Sequence, residues 1–167
     1  MKRILVILTL LSLAGFVTSI HAVAQEKNVD ATCAEVAGEL RQRGVSSRDV
    51  KAIEGPVKNM LKKGATKKDI EDAVGDLSAG GTKGKALRQS VEAMNELVED
   101  GENPKVAGNV VSRAAQRAQA QGLKGEDLAA EVQEAVQQRK QERKKMKQQK
   151  KEQQRKKLQK QKELKQQ

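Results

Sequence analysis

A short pattern that can end one helix and start the next recurs along this chain, and it restricts the possible folds more than any other feature. Residues 44–50, 64–70 and 122–128 each have the form Gly-apolar-x-x-x-Asp-apolar. The glycine can adopt the left-handed conformation that closes a helix, and the aspartate then lies in the first turn of the next helix, near the positive end of its dipole. The pattern therefore predicts several short helices joined by tight connections.

The residues between each glycine and aspartate supply further chemistry for a helix start. Ser46 and Thr66 can cap the exposed amides of the next helix, whereas Lys124 cannot. Two other starts are predicted at Thr82, which follows two glycines, and at Asn103, which precedes a proline. The five starts follow one another at intervals of about 20 residues, so the helices between them are short.

Apolar residues between these starts recur at helical spacing, as in Val50, Ile53, Val57 and Met60. No segment alternates with the period of two that a strand requires. We therefore expect an all-α protein, a compact bundle of about six short antiparallel helices, because short loops favour antiparallel neighbours. A short helical solenoid is the alternative, because two helices of this length form a unit of about 40 residues. The Gly-Pro pair at 55–56 predicts a kink or a split in the second helix.

The N-terminal segment has the features of a cleavable secretory signal. A positive start is followed by an apolar run over 4–17, and Ala22 and Ala24 form a small-x-small cleavage site. We expect residues 1–24 to be removed and the protein to be exported, so that it is periplasmic or secreted. The alternative is a retained membrane anchor, but the run over 4–20 is shorter than the roughly 20 apolar residues that cross a bilayer.

Charge divides the rest of the chain into two segments. Residues 25–138 hold 17 basic and 19 acidic side chains, whereas residues 139–167 hold 14 basic and three acidic ones. The first segment is long enough for one compact helical domain. The second consists almost entirely of Lys, Arg, Gln and Glu, and we expect an exposed, low-complexity basic tail. In this tail the last helix continues or the chain is disordered.

The basic tail predicts binding to polyanions, because each neutralised anionic group releases counterions. The expected partner is an anionic lipid or polysaccharide surface, including peripheral contact with a membrane, or an acidic protein. Sequence-specific nucleic-acid binding is not expected, because removal of the signal leaves no aromatic residue to stack on bases. The candidate binding residues are Lys140, Arg143, Lys144, Lys145, Lys147, Lys150, Lys151, Arg155, Lys156, Lys157, Lys160, Lys162 and Lys165.

The remaining chemistry argues against catalysis. Without its signal the chain has no histidine, which excludes Ser-His-Asp and Cys-His catalysis and histidine metal sites. The single cysteine, Cys33, cannot form an internal disulfide, and its helical spacing with Val36 and Leu40 favours a buried side chain over an intermolecular disulfide. We expect no catalytic residues, no metal and no cofactor, and therefore a protein that is not an enzyme.

Three functional hypotheses follow from these observations. The first is an exported, non-enzymatic helical protein that binds an anionic surface or partner through its tail. The second is a chaperone-like or scaffold protein whose body grips a partner while the tail adds only solubility. It requires a groove that exposes several of Met60, Leu61, Met94 and Leu97. The third is an enzyme that uses carboxylates alone, which requires acidic side chains that converge in a pocket.

Overall fold

The structure, a computed structural model, describes the backbone of residues 28–164 and the side chains of residues 28–159 and of Gln161. The predicted signal lies outside the described residues, together with Ala22 and Ala24 of its cleavage site.

Over residues 28–164 the chain folds into six helices and contains no strand. The helices are α1 (28–42), α2 (Ser47–Lys62), α3 (Lys67–Ala79), α4 (Gly84–Glu99), α5 (Pro104–Ala120) and α6 (Gly125–Leu164). The predicted all-α class is therefore confirmed. The first five helices are short, whereas α6 has 40 residues and includes most of the predicted tail.

All five connections between these helices contain four residues and share one hydrogen-bond arrangement. The second residue is a glycine with φ between 81° and 92°. The amide of the third residue donates to the carbonyl five residues before it, at 2.9 to 3.0 Å, which is the Schellman closure of a helix. The glycines are Gly44, Gly64, Gly81, Gly101 and Gly122. The sequence pattern missed Gly101, which lies between two acidic residues.

Three of the predicted helix caps are confirmed. The side-chain oxygens of Ser46 and Thr66 accept hydrogen bonds from the amides of Asp49 and Asp69, each at 3.1 Å. The carboxylate of Asp69 also accepts from the amide of Thr66, which completes a capping box. Asn103 accepts two amide hydrogen bonds at the start of α5.

The predicted cap at Thr82 is wrong. Helix α4 begins at Gly84, and Thr82 is instead buried in the connection, where its hydroxyl accepts a hydrogen bond from Nε2 of Gln119 at 2.9 Å. The amide of Gly84 donates to Oδ2 of Asp49 at 3.3 Å. The carboxylate of Asp49, in the first turn of α2, therefore accepts a hydrogen bond from an exposed amide at the start of α4. The sequence around Gly84 could not indicate this contact.

The helices pack in two layers around one apolar core. Helices α2, α4 and α6 lie side by side in one layer, while α3 packs on α5, which also contacts α4 and α6. Helix α1 is joined to α2 by the Lys58–Asp30 ion pair at 2.9 Å, and to α3 by the Lys67–Glu35 ion pair at 3.2 Å. The core consists of Val, Ile, Leu, Met and Ala side chains with one cysteine. The predicted compact bundle is confirmed.

Of the kink or split predicted at Gly55 and Pro56, the split does not occur, because α2 continues through both residues. Ile53 and Val57, on the two sides of the proline, are 1% and 2% exposed, and Met60 is completely buried. Burial of this continuous apolar face offsets the loss of one backbone donor at the proline.

Cys33 is a buried core side chain, as predicted. Its residue is 3% exposed, and its thiol donates to the Glu54 carbonyl with Sγ 3.9 Å from the oxygen. Burial raises the pKa of the thiol, which keeps it protonated and unreactive. An intermolecular disulfide would require α1 to separate from α2.

Candidate polyanion-binding helix

The predicted basic tail lies in the second half of α6, which runs as one helix from Gly125 to Leu164. Near its start, Leu128, Val132 and Val136 are buried where α6 packs against α4 and α5. At 1.5 Å per residue, the 40-residue helix is about 60 Å long. The predicted continuation of the last helix into the tail is confirmed.

The first basic residues of the predicted tail are bound by the body of the protein. Nε of Arg139 lies 2.8 Å from Oε2 of Glu102, and Nε of Arg143 lies 3.5 Å from the same oxygen. The Glu102 side chain is 9% exposed, so two guanidinium groups meet one carboxylate largely out of water. The hydrogen bond to Glu102 raises the pKa of Arg139.

Lys140 and Arg143 bind the C-terminal end of α4. Nζ of Lys140 lies 3.0 Å from a carboxylate oxygen of Glu96 and 3.2 Å from one of Asp100. Burial alone would lower the pKa of Lys140, but the hydrogen bonds to both carboxylates outweigh it and raise the pKa. Arg143 donates to the carbonyls of Asp100 and Gly101 at 3.0 and 2.6 Å. These contacts satisfy carbonyls at the helix end and complement its dipole.

We call this cluster of charged side chains the arm root. It consists of Arg139, Lys140 and Arg143 on α6 with Glu96, Asp100 and Glu102 at the end of α4. Its three cations and three carboxylates balance. Lys140 and Arg143, two of the predicted polyanion-binding residues, therefore already have partners within the protein. The folded body therefore extends beyond residue 138 to Arg143, whereas the charge composition placed the boundary between body and tail at residue 138.

The remaining part of α6, residues 144–164, is called the basic arm and is about 30 Å long. Every described side chain of the arm is exposed. Its described basic side chains are Lys144, Lys145, Lys147, Lys150, Lys151, Arg155, Lys156 and Lys157. Among the described residues of the arm there is one ion pair, between Lys156 and Glu152 at 2.8 Å.

Three predicted binding residues lie at the edge of the described structure. Lys160 and Lys162 belong to the helix, but their side chains are not among those described. Lys165 lies outside the described residues.

These eight basic side chains surround the whole circumference of the arm. Successive residues of an α-helix differ by about 100° in direction, which places the eight in three rows about 120° apart. The rows are Lys144, Lys147, Lys151 and Arg155; Lys145 and Lys156; and Lys150 and Lys157. No side of the arm therefore lacks positive charge.

The arm also has no apolar stripe among its described residues. The two large apolar side chains that are described in the arm, Met146 and Leu158, are 45% and 57% exposed, and they point in directions about 120° apart. Within residues 28–164, the structure contains no helix with the length and apolar character needed to span a bilayer.

The four apolar residues that a partner-gripping groove would expose do not form one. Met60, Met94 and Leu97 are completely buried, and Leu61 is partly buried against the core. The cleft between α5 and α6, of about 460 Å³, mixes apolar residues with charged ones such as Arg113. These four residues therefore do not form the apolar groove that the chaperone-like hypothesis requires.

Acidic side chains in the described part of the chain mostly meet cations or helix ends. No group of three or more His, Cys, Asp or Glu side chains there is placed to hold a metal ion. Asp69, Asp72 and Asp76 line a small cleft between α3 and α5, of about 140 Å³, together with Lys68 and Lys105. Asp69 accepts hydrogen bonds from Thr66, and Asp72 pairs with Lys68 at 3.3 Å. The carboxylates of Asp69 and Asp72 are thus already bonded within α3 and its N-terminal cap.

No protein-family model matches the chain, and neither characterised proteins nor solved structures match it.

Proposed function

We propose that this is an exported, non-enzymatic helical protein that binds an anionic surface or partner through its basic arm. The observation that carries the proposal is the exposure of eight basic side chains on the arm, with one ion pair among its described residues. Each contact between such a cation and an anionic group releases counterions and favours binding. Anionic lipid head groups, acidic polysaccharides and acidic proteins all have the matching chemistry.

The arm root supports the proposal because it fixes the start of the arm. Three cations hold α6 on the end of α4, so the arm leaves the body in one direction. Its length of about 30 Å is several times the Debye length of about 8 Å at physiological ionic strength. Acidic residues of the body are therefore screened from most of the arm. Because the arm is already helical, binding does not require a disordered segment to become ordered.

Removal of the arm is expected to abolish binding to anionic vesicles and to acidic polysaccharide without unfolding the body. The chain should be cut after Arg143, because a cut after Gln138 would also remove the three cations of the arm root. Circular dichroism and thermal unfolding check that the body is intact, and co-sedimentation or column retention measures binding. Equal binding by the full-length and shortened proteins would contradict the proposal.

Export is the second part of the proposal, and it is expected to leave a protein that begins at Gln25. The physical reason is the apolar run followed by small residues at Ala22 and Ala24, which fit the cleavage pocket of a signal peptidase. Mass spectrometry of the protein isolated from its native cells gives the N-terminus. A chain that still begins at Met1 would contradict the expected cleavage.

A further inference from the structure

The basic side chains of the arm point in several directions around the helix, and these directions indicate the shape of the partner. A helix that binds a flat membrane usually gathers its cations on one face and its apolar residues on the other. The basic arm has cations in three rows about 120° apart, and the two apolar side chains described in it, Met146 and Leu158, do not share a face. Its charge pattern therefore does not favour one flat surface.

Screening by salt also disfavours a flat partner. A helix with its side chains is about 10 Å across, whereas charges separated by more than about 8 Å of physiological salt solution are largely screened. If one row touched a flat anionic surface, the cations on the opposite side would contribute little to binding. A bilayer would thus use only part of the charge that this arm exposes.

The face of α6 that packs against the body also becomes basic in the arm. Eighteen residues make about five helical turns, so Lys150 lies on the same side of α6 as Val132, and Lys157 on the same side as Arg139. Val132 is buried, and Arg139 binds Glu102 in the arm root. Met146, which is 18 residues after the buried Leu128, also lies on this side, so in the arm the side that packs against the body is mainly polar and basic, with one described apolar residue.

We infer that the partner of the arm is a flexible, linear polyanion, such as an acidic polysaccharide, that wraps around the helix and contacts all three rows. The inference rests on the proposed function and narrows its class of partner. A flexible chain can pass from one row to the next around the helix, so every row contributes counterion release. The arm root fixes only the base of the arm on the body. The polymer can therefore reach the arm beyond the root from all sides.

Three double variants, each lacking two charges from a single row, test this inference. They are Lys147→Gln with Lys151→Gln, Lys145→Gln with Lys156→Gln, and Lys150→Gln with Lys157→Gln. Glutamine keeps the length and helix propensity of lysine, so the three variants are matched in charge and differ in direction. The probes are polygalacturonate, and vesicles of phosphatidylglycerol and phosphatidylcholine in equal parts.

All three variants are expected to lose polygalacturonate affinity by similar factors, about five- to tenfold at low salt, with similar decreases in salt dependence. The unmodified protein should bind polygalacturonate more strongly than the vesicles at equal anionic charge. A loss confined to one variant, or stronger binding to vesicles, would overturn the inference while leaving the proposed function intact. Equal polygalacturonate binding by the chain cut after Arg143 would instead reject the proposed function, and the inference with it.

Discussion

Replacement of all eight described basic residues of the arm by glutamine is expected to lower the affinity for an acidic polysaccharide by about a thousandfold at low salt. Proteins that make six to ten contacts with a polyanion lose about a thousandfold or more in affinity when salt rises from about 50 to about 200 mM. Removal of the charges themselves should produce a loss of at least that size. Titration with a labelled polysaccharide at several salt concentrations measures both effects.

The salt dependence separates this mechanism from apolar binding. The unmodified protein should show a steep, linear decrease of log affinity with log salt, and the glutamine variant, which keeps Lys160, Lys162 and Lys165, a much shallower one. A control variant, Met146→Gln with Leu158→Gln, removes the two exposed apolar side chains of the arm and should bind like the unmodified protein. If this control lost affinity and the glutamine variant did not, the arm would be an apolar contact and the proposed mechanism would be wrong.

The features that could be predicted from the sequence depend on residues close together in the chain. Ser46, Thr66 and Asn103 each cap a helix by bonding to an amide two or three residues away, so their chemistry is visible in a short segment. The closing glycines are similar, because each acts on the turn that it ends. Gly101 lies outside the repeated pattern, because Glu102 follows it where the pattern has an apolar residue.

The features that could not be predicted join residues far apart in the chain. Thr82 was expected to cap α4, but its hydroxyl bonds Gln119, 37 residues away. Arg139 bonds Glu102 across the same sequence distance. In composition Arg139 does not differ from the basic residues of the arm, and only the packing of α6 on α4 assigns it to the body. The basic charge of the candidate site could therefore be predicted from the sequence. The residue at which the basic arm leaves the body could not.

Replacement of Glu102 by glutamine is expected to lower the free energy of unfolding by about 2–3 kcal/mol. The substitution leaves the guanidinium groups of Arg139 and Arg143 without their shared charge partner, and breaking a largely buried ion pair from one side is strongly destabilising. The matched control is Glu142→Gln. Glu142 also pairs with Arg139, at 3.3 Å, but its side chain is 64% exposed, so its loss should cost less than about 0.5 kcal/mol.

Urea unfolding of the two variants measures the difference, and equal stabilities would show that burial of Glu102 contributes nothing. A second comparison separates the ion pair from simple loss of packing. In Glu102→Leu with Arg139→Met, both partners become apolar, so the double variant should be less destabilised than the sum of its single variants. Arg143 would still bind the carbonyls of Asp100 and Gly101 at the end of α4. The arm should then keep its basic charge and its polysaccharide affinity, because the root determines where the arm starts and the arm itself makes the contacts with the polyanion.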